Sequence, residues 1–518
     1  MRDESAGPQR FRGWIAERLG LHFDDGKLDF LAEVLQRRAE KKGLPVRPYL
    51  NQLEGPDIDA ELQALALELT VPETYFFRHI DQFRAFADVA LPEAMSAREA
   101  IRKISLLSAG CASGEEPYSL AMAVRERGAD QGWNVAIRAF DINPAMLAKA
   151  ARGRYPVWAL RETPATSQRR WFREIGKEFE LQEGIRTAVM FQEVNLAQEN
   201  ADLWGAQKYD VIFCRNVLMY FTPDSAQALV ARITRSLAPG GHLFLGHAET
   251  LRGLSNDYHL RHTHGAFYYQ RKFAQNGERR ETCEGTLNGV SQGSLALHAA
   301  DRSAPEPDLN WTKTWLNTIQ SASDRIQALT EPPATAPARR VGQSISGPSQ
   351  TGAQLLLVLE LLKKERFSQA LDLLGCLPAD SEQDPEALLL RAALLTHSGN
   401  LSGAANVCAQ LLKQDELNTG AHYLLALCRE SAGDRQGALD HYRSAIYLDP
   451  GFAMPRLHLG LMARRTGDRE VARRELGQAL LLLKREDAPR LLLFGGGFGR
   501  EALIALCHAE LLSTGGIP

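Results

Sequence analysis

Four alanines, Ala370, Ala404, Ala438 and Ala472, stand 34 residues apart, and Gly399, Gly433 and Gly467 keep the same step. No other feature restricts the fold of this chain as strongly. A fixed period of this length means stacked copies of one supersecondary unit, because one such unit cannot bury its apolar face alone. A small residue is needed where the two helices of a hairpin touch, and the glycines of SGN, AGD and TGD suit the turn between them. Around Ala438, Leu425 and Ala426 take the first helix of a pair, while Tyr442, Ala445 and Pro450 complete the second. Asp449-Pro450 in that unit lies 34 residues after Asp415-Glu416 in the one before. Four helix pairs are expected from about residue 353 to 487. The apolar stretch after 488 suits a capping helix. Its GGGFG run is expected to be a helix-breaking turn rather than a phosphate-cradling loop, because no acidic ribose-binding residue follows at the required distance.

The order of these residues resembles the tetratricopeptide repeat, which implies a partner-binding solenoid. The whole chain, 518 residues, exceeds what one hydrophobic core organises. Residues 11 to 90 carry helical periodicity, with Leu28, Leu31 and Leu35 on one face and Leu62, Leu65 and Leu69 repeating it. From 102 to 272 the apolar runs Ile104–Ser108, Ile137–Phe140, Val211–Cys214, His242–Leu245 and Phe267–Gln270 alternate with helical or turn-rich segments, the texture of an α/β sheet. Residues 273–352 are rich in Ser, Gly, Ala, Pro and Gln and bury too little to fold alone. Within them Trp311, Trp315, Ile319, Ala322 and Ile326 recur at three and four, as in a docking helix or a sticky unstructured segment. The expected domains are 1–95, helical; 96–275, α/β; 276–352, a flexible linker; and 353–518, the repeats with a cap.

A formal net charge of -3 gives no footing for nucleic acid or a membrane surface. No apolar run is long enough to span a bilayer, and the opening MRDESAGPQR lacks the apolar core of a secretory signal, so a cytoplasmic protein is expected. The seven cysteines are scattered without paired spacing and are expected to be reduced thiols, mostly packing. His259, His262 and His264 have no acidic or cysteine companions in the sequence and are taken as sheet or surface histidines, not metal ligands.

The chemistry is concentrated in the α/β segment. KISLLSAGCASGEEPYSLAMAV is a strand, a turn of small residues and a helix, the layout of a nucleotide-binding first loop. Glu115 and Glu116 in that loop would repel a pyrophosphate and favour a cationic ligand, such as the sulfonium and ammonium of S-adenosylmethionine. Asp141, at the carboxyl end of the next strand, is placed to accept both ribose hydroxyls or to cap the helix that begins at Pro144. The strand Val211–Cys214 ends in Arg215-Asn216, polar side chains where ligands of such sheets bind. A further turn, Leu237–Gly241, leads to a strand ending in Gly246-His247-Ala248-Glu249, an order matching a class I methyltransferase.

Six ordered motifs, Thr70–Arg78, Ser108–Ser119, Phe140–Asn143, Val194–Leu196, Phe213–Phe221 and Gly246–Glu249, resemble the chemotaxis receptor methyltransferase family, CheR, over residues 11–272. The resemblance implies a small helical domain joined to a Rossmann-like methyltransferase domain, with S-adenosylmethionine between them and S-adenosylhomocysteine as product. It places Thr74, Arg78, Glu116, Asp141, Asn195, Leu196, Arg215 and Asn216 at the cofactor and implies glutamate O-methylation of methyl-accepting receptors. Where the family often has Asn, this chain has Pro72, which removes that side-chain contact and a backbone donor.

A glutamate is already ionised at neutral pH and attacks a sulfonium methyl directly, so alignment matters more than a general base. Arg78 is suited to hold the incoming carboxylate, unless it is spent on Glu73 or Asp81, and Tyr220 to orient either that carboxylate or the methyl donor. The basic residues Arg37, Arg38, Lys41 and Lys42 suit an acidic receptor helix, or simply the end of their own helix. Some family members tether to a receptor's C-terminal peptide through a β-hairpin insert. The corresponding region here, about 172–191, looks short, so tethering is not expected. The remaining readings are a methyltransferase for a small molecule and a scaffold that has lost activity and works through its repeats.

Overall fold

The computed structural model describes residues 6–55, 58–70, 73–201, 203–273, 350–376 and 384–513. Pro72, the linker and its Trp311–Ile326 island lie outside the described residues. Those residues fall into two compact units, one drawn from 1–274 and 405–459, the other from 275–404 and 460–518.

In the first unit a helical layer comes before the sheet. Phe11, Trp14, Leu31, Leu35, Tyr49, Leu65 and Leu69 close a core of their own, as the leucine spacing predicts. The next helical stretch, from Ile80 to Ala97, packs instead on the sheet: Phe83 and Phe86 meet Phe213 with ring centroids 5.6 and 5.7 Å apart.

Ten strands follow: β1 Lys103–Ala109, β2 Asn134–Asp141, β3 Arg154–Pro156, β4 Phe172–Ile175, β5 Glu178–Leu181, β6 Val189–Glu193, β7 Tyr209–Cys214, β8 Leu237–Leu245, β9 Tyr258–Thr263 and β10 Ala266–Arg271. Seven form one sheet in the order β6-β2-β1-β7-β8-β10-β9, parallel through β8 and antiparallel beyond it. Alternation along β1 sends Ile104 and Leu106 to one face and Leu107 and Ala109 to the other. Both faces are covered, which is why β7 is buried at all six positions and has no polar alternation. The chain runs outward in opposite directions from β1, so the carboxyl ends of β1, β2 and β7 border the crevice where such sheets bind ligands.

The five apolar runs correspond to β1, β2, β7, β8 and β10, whereas β6, β9 and a small second sheet, β3-β5-β4, are not marked by such runs. Residues 172–181 do form an antiparallel hairpin, turning at Gly176 (φ 63°), with β4 paired on one side only among the described residues. A strand as short as Glu178–Leu181, exposed only at Glu178 and buried at Leu181, offers too few alternations to stand out by pattern alone.

The repeats show their period in the backbone. Helices start at Pro385, Thr419 and Ala453 and their partners at Phe367, Leu401, Arg435 and Arg469, steps of 34 in each series. The four periodic alanines are fully buried, and Gly399, Gly433 and Gly467 hold φ of 80°, 81° and 79°. The residue after each glycine, Asn400, Asp434 or Asp468, caps the second helix by accepting the backbone N–H of Gly403, Gly437 or Val471. The GGGFG run lies between helices Ala488–Phe494 and Arg500–Ser513, where Gly496 and Gly497 take positive φ, a turn as expected.

Within the first unit, residues 405–459 pack on the antiparallel edge of the sheet. Leu417 and Leu448 share a core with Tyr258 and Tyr269, and the Tyr447 ring stacks on Phe267 at 4.5 Å. Arg252 pairs with Asp449 at 2.9 Å, while Glu416 accepts from Leu260 N and meets His259 Nδ1 at 2.8 Å. The three histidines therefore part company: His259 meets Glu416, His264 meets Asp88 at 2.9 Å, and His262 stacks on Phe267.

Candidate active site

The loops after β1, β2, β6, β7 and β8 meet at the carboxyl edge of the sheet. After β1 the chain turns through Gly110 (φ 80°), Ala112 (φ 45°) and Gly114 (φ 90°), and a Cβ at Gly114 would lie 2.8 Å from that of Ala150. The glycines are required here for close packing and for left-handed backbone. Of eight non-glycine residues with positive φ among the described residues, four belong to this edge: Phe77, His79, Ala112 and Asn216. Such conformations persist only where the surroundings impose them.

Asp141 is not a helix cap. Asn143 caps Pro144–Arg152, accepting from Met146 N at 3.1 Å, while Asp141 accepts from Ala112 N at 2.7 Å and Asn143 N at 2.8 Å. The carboxylate thus ties the first loop to the end of β2. Burial pushes its carboxyl above the ordinary value, and the backbone donors oppose that rise.

The two adjacent glutamates separate. Glu115 turns inward and accepts from the Ser113 hydroxyl at 2.8 Å, whereas Glu116 accepts from Ser108 Oγ at 2.7 Å and pairs with Arg215 at 3.2 Å. Arg215 is buried. Its other terminal nitrogen donates to the Arg78 carbonyl, and its Nε, also buried, has no hydrogen-bond partner among the described residues. Burial raises the carboxyl of Glu116 and depresses the guanidinium of Arg215, and their mutual attraction opposes both shifts. An anion–cation pair with a spare buried donor suits a ligand that carries both signs, as an amino-acid moiety does.

Arg78 is not spent on a neighbouring carboxylate. Its Nη1 donates to the Glu73 backbone carbonyl at 2.8 Å, and Asp81 pairs with Arg84. Thr74 sits half-buried on the same segment. On the opposite side Asn195 donates to the Arg18 carbonyl at 2.9 Å and accepts from Ala197 N, and the buried Leu196 gives its carbonyl to Arg232. The helical layer closes against this edge: His22 N donates to Tyr220 O at 2.7 Å and Thr222 N to Gly20 O at 2.9 Å. Tyr220 is thereby fixed by its backbone while its side chain stays 39% exposed.

Sequence reasoning missed what holds the loop after β7. Glu249 is buried, and its carboxylate accepts from the backbone N–H groups of Asn216, Val217, Gly246 and Met219 at 2.7, 2.8, 2.7 and 3.3 Å. It ends the Gly246–Glu249 motif, but nothing in the linear sequence couples it to residues some thirty positions earlier. His79 was passed over as well. Its ring lies 4.6 Å from that of His247, and burial, with Arg215 adding to it, depresses its pKa to about 4. Cys111 and Cys214 are buried, with thiols pushed well above their usual range, consistent with packing.

A parallel sheet with its reversal at β1, a glycine loop with a following acidic pair, and a carboxylate ending β2 define a class I S-adenosylmethionine-dependent methyltransferase. Residues 72–266 match the family described as CheR methyltransferase, SAM binding domain. Chemotaxis protein methyltransferase 2 of Vibrio cholerae serotype O1 is 33% identical over 255 residues, covering 49% of this chain and 88% of that protein. A probable biofilm formation methyltransferase, WspC, of Pseudomonas putida is 28% identical over 470 residues, 90% of this chain and 96% of that one. The chain belongs to the CheR methyltransferase family, and its cofactor is S-adenosylmethionine. Among the described residues no helix is long and apolar enough to cross a membrane.

Proposed function

We propose that this enzyme esterifies glutamate side chains on the cytoplasmic part of a methyl-accepting receptor, as a protein-glutamate O-methyltransferase, with its repeats recruiting a protein partner. The observation that carries the reading is the placement of Arg78. Its guanidinium forms no ion pair with a carboxylate among the described residues, and its carbonyl is anchored by the buried Arg215–Glu116 pair. Asp141, Glu116, Arg215 and Asn216 are assigned to the cofactor, with Thr74, Arg78, Asn195 and Leu196 on the flanking segments. S-adenosylmethionine, when bound, supplies an electrophilic methyl on sulfonium. Arg78 then holds the incoming carboxylate in line, and Tyr220 orients the reacting groups without proton abstraction.

The chain-long likeness to a probable biofilm formation methyltransferase favours a receptor of a biofilm-formation pathway over one governing swimming. Docking of an acidic receptor helix is assigned to Arg37, Lys41 and Lys42. These share Glu61 and Glu68 as partners but remain 50%, 56% and 39% exposed, while Arg38 is withdrawn into a buried network with Glu61 and Tyr49. The hairpin β4–β5 is short, so tethering is still not expected, and tight binding of a receptor C-terminal pentapeptide would overturn that. The domain limits 1–95, 96–275, 276–352 and 353–518 are retained as proposed boundaries.

The test is methyl transfer from labelled S-adenosylmethionine to a purified receptor cytoplasmic fragment. Label released as methanol by mild base is expected from a glutamate ester; base-stable label or no transfer defeats the reading. Arg78→Ala should lower turnover far more than it harms folding.

A further inference from the structure

Beside the proposed catalytic arginine lies a second one, held in an unusual setting. The Arg161 guanidinium carbon sits 3.3 Å from the centre of the Tyr75 ring and 3.6 Å from that of Trp158. The two rings are 6.0 Å apart and nearly perpendicular, so they form a notch with the cation inside it. Nη1 also donates to the Trp158 carbonyl at 3.2 Å. Arg78 approaches the same Tyr75 ring, with its guanidinium carbon 5.7 Å from the centre.

The notch is fixed rather than incidental. Phe76 N donates to the Ala159 carbonyl at 2.9 Å, and the Phe76 ring packs edge-on against Tyr155 at 4.8 Å, so the segment bearing Arg78 and the turn bearing Arg161 move together. The neighbouring acid in the chain, Glu162, interacts with the Tyr75 hydroxyl and accepts from His79 N at 3.2 Å. Arg161 remains exposed, and so do Trp158 (52%) and Val157 (64%), an apolar pair beside a cation at the protein surface. Trp, Tyr and Arg together are the composition of an interface anchor. A stacked guanidinium is pre-organised to take a carboxylate through two parallel N–H donors.

We propose that Arg161, in the Tyr75–Trp158 notch, is a specificity residue that binds an acidic side chain of the substrate helix one turn from the methylated glutamate. The inference rests on the receptor-glutamate reading above. Residues one turn apart on a helix have Cβ atoms about 5–6 Å apart, and long side chains widen that reach, which suits two guanidiniums flanking a single ring. Arg78 takes the reacting carboxylate, Arg161 takes its neighbour, and Trp158 with Val157 covers the apolar side of the helix.

The experiment uses the full-length enzyme and a receptor cytoplasmic fragment that the parent methylates. Arg161→Glu should raise KM for the fragment about tenfold or more, with kcat and S-adenosylmethionine affinity held. Arg161→Lys, which keeps the charge and loses the planar fork, should give an intermediate rise. Changing the fragment's acidic residue one turn from the methylated glutamate to Gln should raise KM for the parent but not further for Arg161→Glu. An unchanged KM in Arg161→Glu overturns the proposal while leaving glutamate methylation intact. So does a fall in kcat or cofactor affinity without a change in KM. If the parent transfers no base-labile methyl to any such fragment, the underlying reading fails first and the proposal with it.

Discussion

Replacing Glu249 by Gln removes one charge and almost no volume, so it isolates the carboxylate that pins the loop after β7. One oxygen accepts from Asn216 N and Gly246 N, both at 2.7 Å; the other accepts from Val217 N at 2.8 Å and Met219 N at 3.3 Å. An amide keeps one oxygen. Its best orientation serves the shorter pair and turns an NH2 group toward the Val217 and Met219 donors. A hydrogen bond to a charged group contributes about 1.5–3 kcal/mol. The Met219 contact is long and adds little, so a total near 3 kcal/mol is expected, on the order of 6–12 °C in unfolding midpoint for a domain of this size. Asn216, held at φ 57°, loses its clamp at the same time, and S-adenosylmethionine affinity should fall about 10- to 100-fold. Calorimetric titration with the cofactor and thermal unfolding measure the two effects. Glu115→Gln, a change as deeply buried whose carboxylate accepts from the Ser113 hydroxyl, is the control and should spare affinity. A Glu249→Gln protein that unfolds and binds cofactor like the parent would refute the clamp.

Asp141→Asn should weaken S-adenosylmethionine binding about 10- to 100-fold. Because Asp141 also joins Ala112 N to Asn143 N, Asp141→Ala should cost stability as well, and unchanged affinity in a folded Asp141→Asn protein removes the ribose assignment. His79 has a folded pKa of about 4, below the ordinary 6.5, so the unfolded chain takes up the proton first. Its contribution to stability is full above pH 6.5 and is lost as pH falls from 6.5 through 4. His79→Asn should flatten urea stability across that window, and an unaltered slope contradicts the assignment. Tyr447→Ala removes the ring stacked on Phe267, about 2 kcal/mol of packing, and should loosen residues 405–459 from β9 and β10. Faster proteolysis near that contact, with cofactor affinity kept, is expected; unchanged protection would show that the contact contributes little.

The periodic alanines and glycines determine the helix pairs by themselves, because a buried small residue and a left-handed turn are local demands that recur at a fixed step. The apolar runs at Ile104, Ile137 and Val211 likewise announce central parallel strands, since strands covered on both faces are dominated by apolar residues. The site was legible where a motif joins residue type to a strand end: Asp141, Arg215 and Asn216 reach the crevice edge because each follows such a run. Strands β3, β4 and β5 carry no comparable signal, as half-exposed hairpins are held by pairing and by cross-strand ion pairs such as Glu180 with Arg154 and Arg173. Tertiary structure alone decided which of Glu115 and Glu116 faces Arg215, that Asn143 rather than Asp141 caps its helix, and that Glu249 clamps a loop thirty residues away. It also decided that Glu416, Tyr447 and Asp449 would rest on the edge of the sheet instead of hanging from a linker. Each of these depends on which partner lies within hydrogen-bonding or van der Waals reach after the chain has closed, a distance that neither spacing nor composition contains.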